Sequence, residues 1–268
     1  MSDIIQTILR RRSIRSYQPR PIPPEAADQI IQAAMRAPTA GNMMLYSIIE
    51  ITKQSLKERL ADTCDHQPLI AKAPLVLLFV ADYQRWNDLF DHFAVDDYCR
   101  REGAARRYPQ EGDLMLACCD ALIAAQTAVL AAETLGIGSC YIGDIMERYE
   151  THRDLLELPP YVFPVCMLCF GYPKTRALER PLTPRFGQTQ IHFQNHYRRL
   201  GRDELDTLLE GPGRRSPVEP ARNVGQTYYR QKFASKFSRE MSRSVRAALA
   251  AWCGRPGTPS AGGKGPHG

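Results

Sequence analysis

The chain has 268 residues, 44% hydrophobic and 24% charged, which excludes a disordered, collagen-like or coiled-coil protein as a description of the whole chain. Its net charge of +6 is uneven, because residues 1–210 carry 24 Lys and Arg against 27 Asp and Glu, whereas residues 211–268 carry 11 against two. The basic tail raises the alternative of a protein that binds nucleic acid or a membrane surface.

Taken in chain order, the pattern alternates helices with strands. We expect a short helix at 3–11, an extended segment at 12–17 and a helix at 24–37. A strand at 45–51, a helix at 53–63 and a buried strand at 75–81 follow. A charged, aromatic excursion at 82–112 then leads to a central helix at 114–135. A short strand at 139–142, a helix at 145–156 with Asp144 as its N-cap, and a buried strand at 162–170 complete the series. This order predicts an α+β or α/β layered domain around one main sheet.

The central helix has the length of a membrane span, but it contains Asp120, Gln126 and Glu133. An acidic residue at the middle of a membrane helix costs about 2.5–3.5 kcal/mol. We therefore expect a buried core helix or a subunit interface, and no membrane partner.

The carboxy-terminal region divides into three parts. We predict a main domain at 1–210, a linker with an amphipathic helix at 211–253, and a disordered tail at 254–268. In the helix, apolar residues recur at every fourth position (Tyr229, Phe233, Phe237, Met241, Val245 and Leu249). Such an edge predicts docking on the domain or on a second subunit. Because basic residues share this helix and no stacking aromatic residue lies on its basic faces, we expect no nucleic-acid partner.

Two patterns bear on metals and compartment. Cys166 and Cys169 have metal-ligand spacing, but they lie in an apolar strand without a second pair, and His192 and His196 lack an intervening Glu. We expect no metal site. The eight scattered cysteines indicate reduced thiols, and no secretory signal pattern precedes Arg12, so we expect a cytoplasmic protein.

Arginines cluster near the amino terminus, where Arg11, Arg12 and Arg15 flank Ser13. The cluster is either a solvated basic helix end or an anion site, since guanidinium groups and a hydroxyl bind phosphate through charge-assisted hydrogen bonds.

The run Arg-Arg-Ser-Ile-Arg at 11–15, followed by Ala-Pro-Thr-Ala-Gly-Asn at 37–42, resembles the opening of the FMN-dependent nitroreductase family. Three further motifs match in the same order: Asp-His-Gln at 65–67, Gly-Ile-Gly-Ser-Cys-Tyr-Ile-Gly at 136–143, and Gly-Tyr-Pro at 171–173 with Arg-Pro-Leu-Thr-Pro-Arg-Phe at 180–186. The chain is most similar to the type A, flavin-reductase-like branch.

This resemblance implies a set of cofactor-binding residues. Phosphate and ribityl contacts are implied for Arg11, Arg12, Ser13, Arg15 and Arg185; contacts to the polar ring edge for Thr39, Asn42 and Gln67; ring packing for Tyr141 and Ile142; and a backbone N–H near flavin N5 for Gly143. No catalytic side chain is implied, because the flavin carries the chemistry.

The resemblance also implies a mostly antiparallel sheet flanked by helices and a homodimer whose carboxy-terminal extension wraps the partner. The implied activity is ping-pong hydride transfer from NADPH or NADH through FMN to nitroaromatics, quinones or related acceptors. Reductive dehalogenation and enone reduction on the same scaffold stay open, as does the choice between NADH and NADPH.

The sequence departs from the family pattern at two places. Met-Met-Leu-Tyr at 43–46 replaces the usual Gln-Pro-Trp, which makes the loop more apolar. Thr183 stands where a phosphate-binding Lys is common, and Lys174, Arg176 and Arg180 are the candidates to substitute for it.

Overall fold

The computed structural model describes residues 3–209 and 216–254, which divide by compactness into two units. One unit holds the described residues up to Ala177 together with those from Met241 onward, and the other holds those of Leu178–Glu240. The predicted boundary at 210 is outside the described residues and stays a prediction. The start of the predicted linker, 211–215, and the predicted disordered tail from 255 onward lie outside the described residues.

The sheet of the first unit has four strands in the described residues: β1 Tyr46–Glu50, β2 Leu75–Asp82, β3 Gly138–Ile142 and β4 Val162–Gly171. Their order is β1-β2-β4-β3, and each neighbouring pair is antiparallel. The predicted strands and the α+β class are confirmed.

Strands β2 and β4 are buried along their whole length because the sheet has a core on each face. In β2, Leu77 and Phe79 enter one core cluster, whereas Val76 and Leu78 enter the other. Successive strand residues point to opposite faces, so a strand covered on both sides reads as one continuous apolar run.

The described α-helices are α1 Asp3–Arg10, α2 Pro24–Met35, α3 Gln54–Thr63, α4 Pro68–Lys72, α5 Gln84–His92, α6 Val95–Arg101, α7 Glu111–Thr134, α8 Tyr149–Leu155, α9 Thr175–Leu178, α10 Gln188–Ile191, α11 Arg202–Thr207, α12 Val224–Tyr228 and α13 Lys236–Cys253. Helices α2 and α7 cover one face of the sheet, and α3 and α4 cover the other. The predicted excursion forms α5 and α6. The prediction that Asp144 caps a helix at 145–156 is wrong, because Asp144 instead opens a 3-10 turn, Asp144–Met146. Helix α8 begins only after Arg148, whose φ is +46°.

Helix α7 packs on the sheet through an alanine face and leaves its opposite face exposed. The buried face includes Ala117, Ala121, Ala124 and Ala128; the exposed apolar residues are Met115, Leu116, Leu122 and Ile123. Among the described residues it is the one helix whose length and composition would let it cross a membrane. Its contacts with the core are those of a helix inside a folded domain.

The predicted helix at 226–252 is interrupted. A π-helical turn, Tyr229–Phe233, follows α12, and α13 begins after a bend at 234–235. Within α13 the buried face is Ser244, Ala248 and Trp252, not the predicted apolar edge. The Ser244 hydroxyl donates to the Met146 carbonyl (2.7 Å) and accepts from the Tyr149 N–H (2.8 Å), and the Trp252 ring meets Tyr161 edge-on at 5.6 Å. The helix thus docks on its own unit.

Candidate functional site

The arginine-rich segment after α1 lies along the edge of the sheet. Ser13 forms a parallel bridge with Ser139 of β3, and the Ile14 N–H donates to the Ser139 carbonyl at 2.8 Å. Tyr17 bridges Pro173, just after β4. Backbone pairing therefore fixes the position of Arg15 relative to β3 and β4.

Two glycines make this close approach possible. Gly138 of β3 and Gly171 of β4 are register partners. A Cβ atom on Gly138 would lie 2.9 Å from Ile14 Cβ, and one on Gly171 would lie 2.6 Å from the Tyr17 ring. The Tyr17 hydroxyl shares its hydrogen between the carbonyl oxygens of Ile14 (2.9 Å) and Cys169 (3.0 Å). Sequence analysis missed this anchoring role of Tyr17.

Beside the segment lies a cavity of about 370 Å³ with a cationic lining. Its lining residues are Arg15, Ser16, Tyr17, His66, Gln67, Pro68, Leu69, Lys72 and Lys174. Among these nine described residues none carries a carboxylate, although Asp62 lies 2.9 Å from the His66 ring. The cavity brings together Arg15 and Gln67, both predicted cofactor contacts, with Lys174. Lys72 and His66 were not predicted: Lys72 belongs to no recognisable motif, and within the Asp-His-Gln motif only Gln67 was assigned a contact.

Gln67 is presented by a turn with unusual backbone angles. Asp65 and His66 have φ of +56° and +52°, which non-glycine residues rarely adopt. The Gln67 N–H donates to the Ala61 carbonyl at 2.8 Å, and Pro68 then opens α4. The turn therefore directs Gln67 toward the cavity from a fixed backbone.

Buried His152 holds this region from beneath. Its Nδ1 donates to the Ile145 carbonyl, and its Nε2 lies 2.8 Å from the Thr63 hydroxyl. Burial lowers the pKa of His152, which favours the neutral ring. His152 thereby links the end of α3, next to the Gln67 turn, with the 3-10 turn that follows Gly143.

A second site segment is the loop between α2 and β1. Its Thr39 hydroxyl donates to Asp120 of α7 and accepts from the Met44 N–H at 2.8 Å. The single hydroxyl hydrogen is thus used inside the protein, and Thr39 helps to shape the loop; its contact with a ring edge stays a prediction. Asn42 is exposed on the same loop, at φ +57°.

Helix α5 holds the loop from another side. The Trp86 indole N–H donates to the Met43 carbonyl (2.8 Å), and the Arg85 guanidinium donates to the Met44 carbonyl (3.1 Å). The excursion that carries α5 is itself held by Arg106, whose side chain is 6% exposed and donates to Asn87 and Asp91.

At the end of β3 the three predicted contacts differ in access. Tyr141 is exposed, and its hydroxyl donates to the Gln126 side chain at 3.3 Å. Ile142 points to the opposite face and is buried in a core cluster, and its packing against a ring stays a prediction. Gly143 has open space where a Cβ would lie, which leaves its backbone accessible.

The remaining predicted contacts lie around this region or in the second unit. Arg11 and Arg12 are half-buried just after α1. Burial raises the pKa of Glu133 in α7, and the charges of these two arginines oppose that increase. Ser13 is exposed. Arg185 belongs to the second unit and is exposed, with its guanidinium donating to the Thr183 carbonyl at 3.2 Å.

The cysteine pair cannot bind one ion. Cys166 and Cys169 enter opposite core clusters, because residues three apart on a strand point to different faces. Burial raises the pKa of the Cys166 thiol to about 12. In the described part of the chain, no three His, Cys, Asp or Glu side chains form a group suited to a metal.

Comparison with known proteins gives a consistent result. The model of the Nitroreductase family matches residues 8–172. The chain is 34% identical over 214 residues to an FMN reductase [NAD(P)H] of Bacillus subtilis, covering 78% of this chain and 80% of that one. It is 32% identical over 200 residues to an oxygen-insensitive NADPH nitroreductase of Salmonella typhimurium, covering 75% and 77%. Among solved structures, the hypothetical oxidoreductase YcnD from Bacillus subtilis superposes with a TM-score of 0.74 at 27% identity, over 92% of this chain and 98% of that one.

Proposed function

Since the chain belongs to the nitroreductase family, we propose that it is an FMN-dependent NAD(P)H oxidoreductase acting on small-molecule acceptors. Relatives named as an FMN reductase and an NADPH nitroreductase support the cofactor and the donor. When bound, FMN supplies the electron-transfer chemistry, and the protein supplies binding, orientation and electrostatics.

The cationic cavity is the observation that carries the proposal. Arg15, Lys72 and Lys174 suit a phosphate group, because charge-assisted hydrogen bonds to phosphate oxygens are about twice as strong as neutral ones. The Gln67 amide both donates and accepts, as the polar edge of a flavin ring requires. The cavity volume, about 370 Å³, lies within the range of small-molecule sites. The residues present therefore fit FMN.

Lys174 is our candidate for the lysine that the family pattern has at the position of Thr183. It lines the cavity, and its backbone N–H donates to the Ser16 carbonyl at 3.3 Å, which holds it beside Arg15. Neither Arg176 nor Arg180 lines this cavity.

Tyr141 and Gly143 are proposed as the ring contacts at the end of β3. The exposed Tyr141 ring offers an apolar face, and the open backbone at Gly143 permits close approach of a planar ligand. The half-buried Met43 and Met44 extend the apolar surface, which favours aromatic acceptors such as nitroaromatics and quinones.

A homodimer is part of the proposal. Exposed apolar residues lie on α1 (Ile4, Ile5, Ile8 and Leu9) and on α7 (Met115, Leu116, Leu122 and Ile123). These two helices contact each other, and together they form an apolar surface of the kind that marks a subunit interface. The exposed Phe237 and Val245 of α13 are available to extend it.

The setting we propose is cytoplasmic, with a small-molecule acceptor and no nucleic-acid partner. All eight cysteines are free, as is usual in a reducing compartment. Arg243 of the basic helix α13 makes two hydrogen bonds to Glu150, at 2.8 and 2.9 Å, so this charge already has a structural partner.

The test is the visible absorption spectrum of the purified protein, with FMN added if the preparation is colourless. We expect a flavin spectrum that bleaches under anaerobic addition of NADPH or NADH and recovers with a nitroaromatic. Failure to bind added FMN would overturn the proposal. If bound flavin bleaches with neither nucleotide, FMN remains the proposed cofactor, but NADPH and NADH are rejected as electron donors.

A further inference from the structure

The loop at 39–45 has a backbone shape that needs external support. Gly41, Asn42 and Met44 have φ of +56°, +57° and +49°. The left-handed region is unfavourable for residues with a Cβ, and it persists only where surrounding contacts impose it. Asn42 and Met44 therefore require a fixed partner.

Asp120 of α7 is that partner. Its carboxylate is 3% exposed and accepts from the backbone N–H of Ala40 (3.1 Å) and of Leu45 (3.2 Å), as well as from the Thr39 hydroxyl. One side chain thus binds both ends of the loop. The Thr39 hydroxyl extends the attachment to the Met44 N–H, next to the strained position.

The environment of Asp120 argues that a carboxylate is needed there. Ala117, Ala121 and Ala124 share the same buried face of α7, so a small apolar residue would fit at this position. Burying a charge without a counter-ion is costly unless hydrogen bonds satisfy it. Among the ion pairs of residues 3–209 and 216–254 none involves Asp120, and the loop donors are its described partners.

We infer that Asp120 is a positioning residue for the cofactor site, acting through the loop at 39–45. It fixes the backbone that carries Asn42, the predicted contact to the polar ring edge, and the Thr39 hydroxyl extends this support to the Met44 N–H. This inference rests on the proposed function, because the ring edge belongs to the proposed FMN.

The first experiment compares Asp120→Asn with Asp113→Asn in the full chain without cofactor. The amide of Asn presents an NH2 group where one carboxylate oxygen accepted, so a backbone donor loses its partner. Asp113 is a carboxylate at the start of the same helix. It accepts from the Gln110 N–H at 2.7 Å and from the Arg107 guanidinium, and neither partner belongs to the loop. We expect faster hydrogen exchange at the Ala40 and Leu45 amides in Asp120→Asn alone. Unchanged exchange at both amides would overturn the inference.

The second experiment measures the dissociation constant of FMN by quenching of its fluorescence. Because the loop that carries Asn42 loses a charge-assisted hydrogen bond, we expect Asp120→Asn to weaken FMN binding roughly ten-fold or more. Asp113→Asn is expected to bind FMN like the wild type even if its melting temperature falls. Equal FMN affinity in wild type and Asp120→Asn would overturn the inference and leave the proposed function standing.

A double-mutant cycle separates positioning from general destabilisation. Thr39→Val removes the hydroxyl, whereas Thr39→Ser retains it. We expect Thr39→Val to weaken FMN binding and Thr39→Ser to bind FMN like the wild type. The loss of binding free energy in the double variant, Thr39→Val with Asp120→Asn, should be smaller than the sum of the two single losses. Additive losses would overturn the coupling. Absence of FMN binding in the wild type would overturn the proposed function, a result that the variants cannot imitate.

Discussion

Gly138 and Gly171 face each other across β3 and β4, and each leaves room for a residue of the arginine-rich segment. Ile14 occupies the space beside Gly138, and Tyr17 occupies the space beside Gly171. The position of Arg15 at the cavity therefore depends on the lack of a Cβ atom at both glycines.

Replacing Gly171 with Ala is expected to displace Tyr17 and to release FMN. The new Cβ would lie 2.6 Å from the Tyr17 ring, and overpacking of this kind costs about 1–3 kcal/mol. Thermal unfolding and the flavin content of purified protein measure the two effects. Gly112→Ala, which has no atom within 4 Å of its new Cβ, is the control, and an equal loss of flavin there would contradict the explanation.

Lys174→Ala and Lys72→Ala are each expected to weaken FMN binding roughly ten-fold, because each removes a charge-assisted contact to phosphate. Titration of the apoprotein with FMN measures the effect. Arg176→Ala, two positions beyond Lys174 and outside the cavity lining, should bind FMN normally. If Arg176→Ala alone weakened binding, the phosphate contact would belong to Arg176.

Ile123→Glu is expected to produce a monomer, because it places a charge in the apolar surface of α7. Sedimentation equilibrium would report the change. Phe93→Glu introduces the same charge at a residue that is 72% exposed and lies outside that surface, so it should leave the dimer intact. Dissociation by both variants, or by neither, would argue against an interface on α7.

Stability is expected to fall at mildly acidic pH because of His152. Burial lowers its pKa below 6.5, so the unfolded chain takes up this proton at a higher pH than the folded protein does. The free energy of unfolding then decreases as the pH falls from 6.5 through the folded pKa, by up to about 1.4 kcal/mol per pH unit.

Urea unfolding of wild type and His152→Gln tests this pH dependence. The variant should be less stable at neutral pH but should lose less stability on mild acidification. His92→Gln removes an exposed ring and should keep the wild-type pH dependence. The Glu150 carboxyl acts in a separate range, since hydrogen bonds from Arg243 lower its pKa from 4.5 to about 2.

The attachment of α13 is expected to depend on packing far more than on charge. Trp252→Ala should cost about 3–5 kcal/mol, the usual range for a buried aromatic residue. Arg243→Ala should cost less than about 1 kcal/mol, because the Arg243–Glu150 pair is half-exposed and screened by water. Chemical denaturation measures both, and a larger loss in Arg243→Ala would reverse this ranking.

Sequence patterns predicted the strands of the sheet directly, whereas side-chain access at the site depends on the fold. The apolar run from Leu75 predicted a buried strand because burial on both faces leaves no polar position. Side-chain access was harder to predict. Ile142 belongs to a recognisable motif, yet the alternation of β3 turns it into the core while Tyr141 stays exposed.

Contacts between distant segments explain the other differences. Thr39 belongs to a family motif, but its hydroxyl binds Asp120, 81 positions later, and no local pattern encodes that pair. In α13 the four-residue repeat does not mark the face that packs on this unit, because the Ser244 hydroxyl binds Met146 and Tyr149 and so turns Trp252 inward. Lys72 and Lys174 meet at one cavity only through the fold.

The edge-on contact between Trp252 and Tyr161 has a consequence for biosynthesis. The second unit, residues 178–240, is translated between the two halves of the core that this contact joins. A ribosome must therefore synthesise nearly all of the described chain before that part of the core can close. Until then Tyr161 lacks its aromatic neighbour, so a nascent chain stalled at Glu240 would expose apolar surface to chaperones.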